Sequence, residues 1–150
     1  MDVHLLVFTC RYVPNSSEKL VRLGYRTKEW DVALRHHLTA LQARKPVVLI
    51  GDLNVAYHNM DTYNPEKFRN KVAGFCDAER DGFAALKAIG FHDVWREANP
   101  DVQQFTYWTP RGNCRATNKG WRLDYALVSE ALLPHVVSPK VRACAHAYGW

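Results

Sequence analysis

Val47-Val48-Leu49-Ile50 is a run of four apolar residues, three of them β-branched, followed at once by Gly51, Asp52, Leu53 and Asn54. Such a run predicts a strand buried on both faces, and Gly51 is expected to break it. Asp52 and Asn54 stand two residues apart, so an extended backbone would point a carboxylate and an amide to one face. The position just past the carboxyl end of a buried strand is where open α/β sheets place ligands. Asp and Asn are equally ordinary turn residues, so the local pattern also fits a turn that closes a strand.

The remaining elements are read around this strand. Val3 to Thr9 predicts a strand that ends before Pro14, leaving Tyr12 and Asn15 on a loop at its end. Trp30, Leu34, Leu38 and Leu41 form one face of a helix expected over Arg26 to Ala43, with His36 and His37 solvated on it. Arg44-Lys45 suit its negative end, and Pro46 stops it. Strand, helix and strand in this order leave open whether the strands are parallel. Tyr57 to Cys76 reads as a long polar loop, functional or disordered. A second helix is expected over Asp77 to Ile89, with Glu79 in a capping box, Phe83, Leu86 and Ile89 on its apolar face and Gly90 just past its end.

Phe91 to Trp95 and the aromatic Phe105 to Thr109 read as extended, and Pro110 to Asn113 turns the chain. Trp121 to Ser129 predicts a strand with Leu123, Tyr125 and Leu127 on one face and Asp124 among apolar neighbours on the other. A carboxylate buried there would need a partner. A helical turn at Glu130–His135 and a strand at Lys140–Ala143 complete the pattern.

Composition narrows the class. With 150 residues, 47% hydrophobic and 23% charged, the chain is in the range of one globular domain. A net charge of +5 leans mildly toward a polyanionic partner. Cys10, Cys76, Cys114 and Cys144 form no C-x-x-C pair, which argues against a zinc site and for a reducing compartment. No apolar run is long enough to span a bilayer. Between Phe105 and Tyr125, Arg111, Arg115, Lys119 and Arg122 face a single acid, Asp124, with Tyr107, Trp108 and Trp121 interleaved. That mixture suits phosphates and stacked bases, and equally a solvated basic loop beside core aromatics.

Several motifs occur in order: Tyr12-Val13-Pro14-Asn15, Gly51-Asp52-Leu53-Asn54-Val55-Ala56, and Asn113-Cys114-Arg115…Asn118…Gly120-Trp121-Arg122-Leu123-Asp124-Tyr125. Leu20-Val21-Arg22-Leu23, Tyr25-Arg26, Trp30-Asp31, Asn64-Pro65 and Ala73-Gly74-Phe75 extend the set. As a set they resemble the exonuclease III-type (class II) AP endonucleases of base excision repair. Gly-Asp-x-Asn alone would indicate only the wider group of DNase I-like nucleases and phosphoesterases.

The resemblance implies an α/β chain, a fragment of the four-layer α/β sandwich of the DNase I-like endonuclease/exonuclease/phosphatase fold. It implies a hydrolase dependent on Mg²⁺, with Mn²⁺ as a substitute, that cuts duplex DNA 5′ to abasic sites. Accompanying 3′-phosphodiesterase and 3′–5′ exonuclease activity is implied as well. Carried over by motif, the catalytic residues are Tyr12 at the scissile phosphate, Asp52 on the attacking water, Asn54 holding water and phosphate, and Asp124 paired with a histidine. Asp52 and Asn54 are the second-site metal ligands. Asn15, Lys71, Tyr107, Trp108, Arg111, Arg115, Trp121 and Arg122 are the expected DNA-binding set, Tyr107 and Trp121 walling the pocket for the flipped sugar. A monomer is expected, with no membrane, in the nucleus (or mitochondrion, or a prokaryotic cytoplasm).

The family's metal-binding Glu and its Ser-Asp-His-x-Pro segment have no match here, and His146 lacks the Asp-His setting. The expectation is therefore a partial domain over residues 1–150, without its N-terminal half and extreme C-terminus, and inactive or unstable in isolation. Ser16-Ser17-Glu18 and Val72 also depart from the family's usual DNA-contacting residues. Another phosphoesterase of the same superfold, or a non-catalytic DNA-binding fragment, are the alternative readings.

Overall fold

Four strands form one mixed sheet in the order β1-β2-β4-β3: β1 Val7–Tyr12, β2 Val47–Asp52, β3 Phe91–Asp93 and β4 Asp124–Ser129. The computed structural model describes residues 7–141, without the side chains of Phe8 and Cys10. β1 and β2 are parallel, joined by a crossover through the Asp31–Gln42 helix. β4 runs antiparallel to both β2 and β3. The chain order had left the first pairing open, and the crossover settles it.

β2 is longer and less symmetric than its sequence suggests. It runs through Gly51 to Asp52. Gly51 has φ +133°, and a Cβ there would fall on the Arg11 carbonyl, so glycine keeps the strand paired instead of breaking it. Val47 and Leu49 are buried, whereas Val48 and Ile50 are only half-buried. The expected burial on both faces is thus corrected to one. Leu38, Phe83 and Leu86 of the two long helices pack with Val47, Leu49, Tyr125 and Leu127 on that face.

The first helical stretch begins early, with Leu23–Tyr25, a π-turn Arg26–Trp30 and then Asp31–Gln42. Its predicted stripe holds: Leu38 is in the core and Trp30, Leu34 and Leu41 pack against it. The second helix spans Asp77–Ala88, with Cys76 at its N-cap, Glu79 closing the capping box and Gly90 at φ +93°. Glu79 does more than cap. One oxygen accepts from the Gly74 and Cys76 N–H groups at 2.8 and 3.0 Å, and the other from the Ser16 hydroxyl at 2.5 Å.

Three extended readings shrink. Phe91–Trp95 is a strand only to Asp93, whose side chain then caps the Val94–Ala98 helix. Phe105–Thr109 and Trp121 contribute isolated bridges, Tyr107↔Trp121 and Thr62↔Trp121, and β4 starts only at Asp124. Lys140 and Val141 are irregular, and the rest of that expected strand lies outside the described residues. The 57–76 segment is no bare loop. It carries the turns Asn59–Asp61 and Pro65–Phe68, and Phe68 and Phe75 are buried in a second cluster with Ala56 and Leu123, against Trp121.

What fixes that segment is a buried ionic cluster. Asp61 is fully buried and Arg122 is 1% exposed. The Arg122 guanidinium donates to Asp61 at 2.8 and 3.3 Å and to Asp93 at 2.7 and 3.3 Å, and Arg96 donates to Asp61 at 2.6 Å. The Arg122 guanidinium also lies over the Tyr125 ring, 4.4 Å from its centroid. Arg122 therefore cannot serve as the DNA contact its sequence position suggested; its donors are spent inside the protein. Burial pushes the Asp61 carboxyl up, but the hydrogen bonds and charge of Arg122, the His58 N–H and Arg96 outweigh it and hold it below the usual range.

Two consequences are measurable. Arg122→Met leaves two buried carboxylates short of a partner and is expected to cost about 3–5 kcal/mol in urea denaturation, with Arg122→Lys failing to restore it. Because the Asp61 carboxyl is lowered on folding, it stabilises above its unfolded value of about 3.9 and loses that effect as pH falls through its folded value. Asp61→Asn should flatten the loss of stability below about pH 4.

Candidate active site

The topology brings three distant residues into one row. Tyr12 ends β1 opposite Asp52 at the end of β2, and Asp52 in turn pairs with Asp124, the first residue of antiparallel β4. Directly paired residues on neighbouring strands project to the same face, with strands about 4.8 Å apart. Tyr12 is 67% exposed, and its hydroxyl has no hydrogen-bond partner among the described residues. Asp124 is also exposed, which corrects the expectation of a buried carboxylate in need of a partner: it opens β4 beside an open pocket that water can enter.

Asn54 joins the row by a different route from strand alternation. The strand ends at Asp52, and Asn54 takes φ +47°, a left-handed conformation that Asn tolerates. That turn directs its backbone N–H to Asp52 Oδ1 at 2.8 Å and its side-chain amide to the Val13 carbonyl at 2.8 Å and Asp52 Oδ2 at 3.4 Å. Its side-chain Oδ1 accepts from Asn15 Nδ2 at 3.0 Å, while Asn15 Oδ1 accepts from the Ser17 N–H at 2.7 Å. The Asn15 amide thus brackets Asn54 to the turn after β1.

The Asp52 carboxyl is raised above the ordinary carboxylate value. Burial is the main cause, the Asn54 N–H opposes it, the Asp124 charge adds to it, and Arg26 opposes it more weakly. A half-buried carboxylate with a second one alongside suits a hard, oxygen-preferring divalent cation, which would relieve their repulsion. Asp52 is the group that could hold one; Asn54, expected as a second ligand, turns its amide nitrogen toward Asp52 and its oxygen to Asn15, and so orients the carboxylate instead.

The aromatic and basic residues spread over neighbouring surface. Trp121 is half-buried, stacked on Phe68 at 5.0 Å and edge-on to Phe75 at 6.3 Å. Tyr107 is 45% exposed and bridges to Trp121. Trp108 donates its indole N–H to Asn118 at 3.2 Å and carries the Arg115 guanidinium 5.0 Å from its ring centroid. Trp108, Arg115 and Asp124 line one open pocket of about 460 Å³ together with Thr106. Arg111 is exposed on the turn Arg111–Asn113. Lys71 is exposed beside Asn15, around a separate hollow.

Arg26 was absent from the sequence-based candidates, yet it is 3% exposed and bonded to the turn that bears Asp52 and Asn54. In the sequence it stands in the Tyr25-Arg26 motif that extends the family likeness, at the expected start of an amphipathic helix, but neither signal gives it a role in the site.

The endonuclease/exonuclease/phosphatase family model matches residues 2–145. The chain is 52% identical over 135 residues to the DNA repair nuclease APEX1 of Danio rerio, covering 89% of this chain and 43% of that protein. It is 41% identical over 133 residues to an exodeoxyribonuclease of Bacillus subtilis, covering 88% of this chain and 52% of that one. The crystal structure of the AP endonuclease LMAP from Leishmania major superposes with a TM-score of 0.81 at 31% identity, over 87% of this chain and 44% of that chain. The chain thus spans about half the length of these relatives.

Since the Asp52 carboxyl is raised on folding, its protonated form favours folding; that contribution is complete below its unfolded value of about 3.9 and is lost as pH rises through the raised folded value, so the ionised group opposes folding at neutral pH. Asp52→Asn is therefore expected to raise stability at pH 7 in EDTA and to leave it unchanged at pH 3, measured by chemical denaturation.

Proposed function

Since the chain belongs to the endonuclease/exonuclease/phosphatase family, we propose that this protein is a DNA repair hydrolase that cuts the phosphodiester bond 5′ to abasic sites in duplex DNA and leaves a 3′-hydroxyl. The observation that carries the reading is the row Tyr12, Asp52 and Asp124 with Asn54 locked beside it. In this reading Asp52 orients the attacking water and takes its proton, a task suited to a carboxylate whose proton affinity is raised. Asn54 fixes that carboxylate from both its backbone and its side-chain amide. The exposed Tyr12 hydroxyl donates to a phosphate oxygen, and Asp124 is the carboxylate that would pair with the catalytic histidine that the family resemblance implies.

Asp52, fixed by Asn54, would hold Mg²⁺, which would supply charge relief to the phosphate oxygens. Tyr107 and Trp121 wall the space for the extruded sugar, which costs less to flip because it has no base to unstack. Trp108, Arg111, Arg115 and Lys71 meet the flanking strand through stacking and phosphate contacts.

The test is incision of an end-labelled duplex carrying one abasic analogue. It uses the chain alone and a chimera in which residues 7–141 replace the matching segment of the Danio rerio nuclease. The chimera is expected to cut 5′ to the lesion with Mg²⁺ and not with EDTA, and Asp52→Ala to lower the rate by about 10²–10³-fold. The chain alone should cut at least as weakly as that variant. A folded chimera that leaves the lesion intact, or cuts equally well with Asp52→Ala, would reject the reading. Release of phosphate from an inositol phosphate in preference to DNA would favour a different phosphoesterase.

A further inference from the structure

Arg26 is a fully engaged cation placed directly behind the reactive row, with no surface left for a substrate. Its Nε donates to Asp31 Oδ1 at 2.8 Å. Its two terminal nitrogens donate to three carbonyls: Pro14 at 3.1 Å, Leu53 at 3.0 Å and Asn54 at 3.5 Å. Pro14 lies in the turn after Tyr12, and Leu53 and Asn54 make the turn after Asp52. One planar guanidinium therefore spans the two segments that carry the site, and its flat fork fixes their separation as well as their charge.

Two independent features show that the surroundings are shaped for this group. Arg26 opens the π-turn Arg26–Trp30, an irregularity inside an otherwise α-helical stretch of a kind frequent at functional sites. Its partner Asp31 is 6% exposed and faces Gly82, in the middle of the Asp77–Ala88 helix. Glycine is unfavourable in a helix interior. Here a Cβ at position 82 would lie 2.6 Å from Asp31 Oδ2, so any larger residue would force the carboxylate that aims Arg26 to shift.

We propose that Arg26 is a positioning residue of the hydrolytic site: oriented by Asp31 against Gly82, its guanidinium clamps the Pro14, Leu53 and Asn54 carbonyls and holds Tyr12, Asp52 and Asn54 in one reactive geometry. The proposal rests on the hydrolase reading for its kinetic consequence. A lysine cannot replace the clamp, because one ammonium cannot meet a carboxylate and three carbonyls in a plane. A misplacement of about 1 Å at a reacting group costs on the order of 10²-fold in rate.

The experiment compares Arg26→Ala, Arg26→Lys and Gly82→Ala in the same chimera. The control is Phe91→Leu, a core change at the sheet end opposite Asp124, where Phe91 pairs with Ser129. Each variant is assayed below its own melting temperature for kcat and KM on abasic duplex, and for hydrogen exchange at the Asn54 amide, which donates to Asp52. The clamp predicts that Arg26→Ala loses about 10²-fold in kcat with KM changed less than about threefold. It predicts a loss of the same kind for Arg26→Lys, a smaller one for Gly82→Ala, and partial recovery of Arg26→Ala by millimolar guanidinium. Asn54 should exchange faster in all three and not in Phe91→Leu. Loss of rate no greater than in Phe91→Leu, a rise in KM alone, or an unchanged Asn54 amide would overturn it. A wild-type chimera that does not cut at all would reject the hydrolase reading, and the Asn54 exchange would then decide the clamp by itself.

Discussion

The structure depends on a charge cluster sealed from water: Asp61, Asp93, Arg96 and Arg122, two carboxylates against two guanidinium groups. Taking such ions out of water is costly, and the cost is met only when nearly every donor and acceptor finds a partner. Arg122 satisfies both acids at once, and Arg96 adds the carbonyls of Asn99, Pro100 and Val102 to Asp61. The cluster joins the 57–76 segment, the end of β3, the Val94–Ala98 helix and the approach to β4. Asp124 follows Arg122 by two residues, so the third member of the reactive row is placed by charges it never touches.

Much of the fold was legible because burial and periodicity coincide. The β2 run, the Leu38 stripe, the Glu79 capping box and Gly90 each follow from local chemistry and each stands where that chemistry puts it. What was not legible has a common cause. Arg26, Arg122 and Asp61 are charged residues whose partners lie far along the chain, and a charge in sequence reads as a solvated face. The extended readings at Phe105–Thr109 and Trp121 erred in the opposite sense: Trp121 packs on the Phe68–Phe75 cluster and Tyr107 meets it through an isolated bridge instead of joining a ladder.

For the site, motif likeness pointed to the right neighbourhood and the wrong geometry. Asp52 and Asn54 meet because the strand stops and Asn54 adopts a left-handed turn, not because alternate residues share a face. Asp124 reaches the row because β4 is antiparallel, a fact that no local pattern carries. The basic stretch near the C-terminal side divides in two. Arg122 is internal scaffold, and Arg111, Arg115 and Lys119 remain at the surface.

The strand order also sets when the site can exist during folding. Paired residues of β1 and β2 are about 40 apart in sequence, nearer than those of β2 and β4, so less chain entropy is lost in bringing the first pair together. Asp124 arrives only when β4 inserts between β2 and β3, a contact of much greater sequence separation and therefore slower to form. A nascent or partly folded chain then holds Tyr12 and Asp52 without their third neighbour. The complete row thereby becomes a property of β4 docking, and partly folded molecules carry only two of its three members.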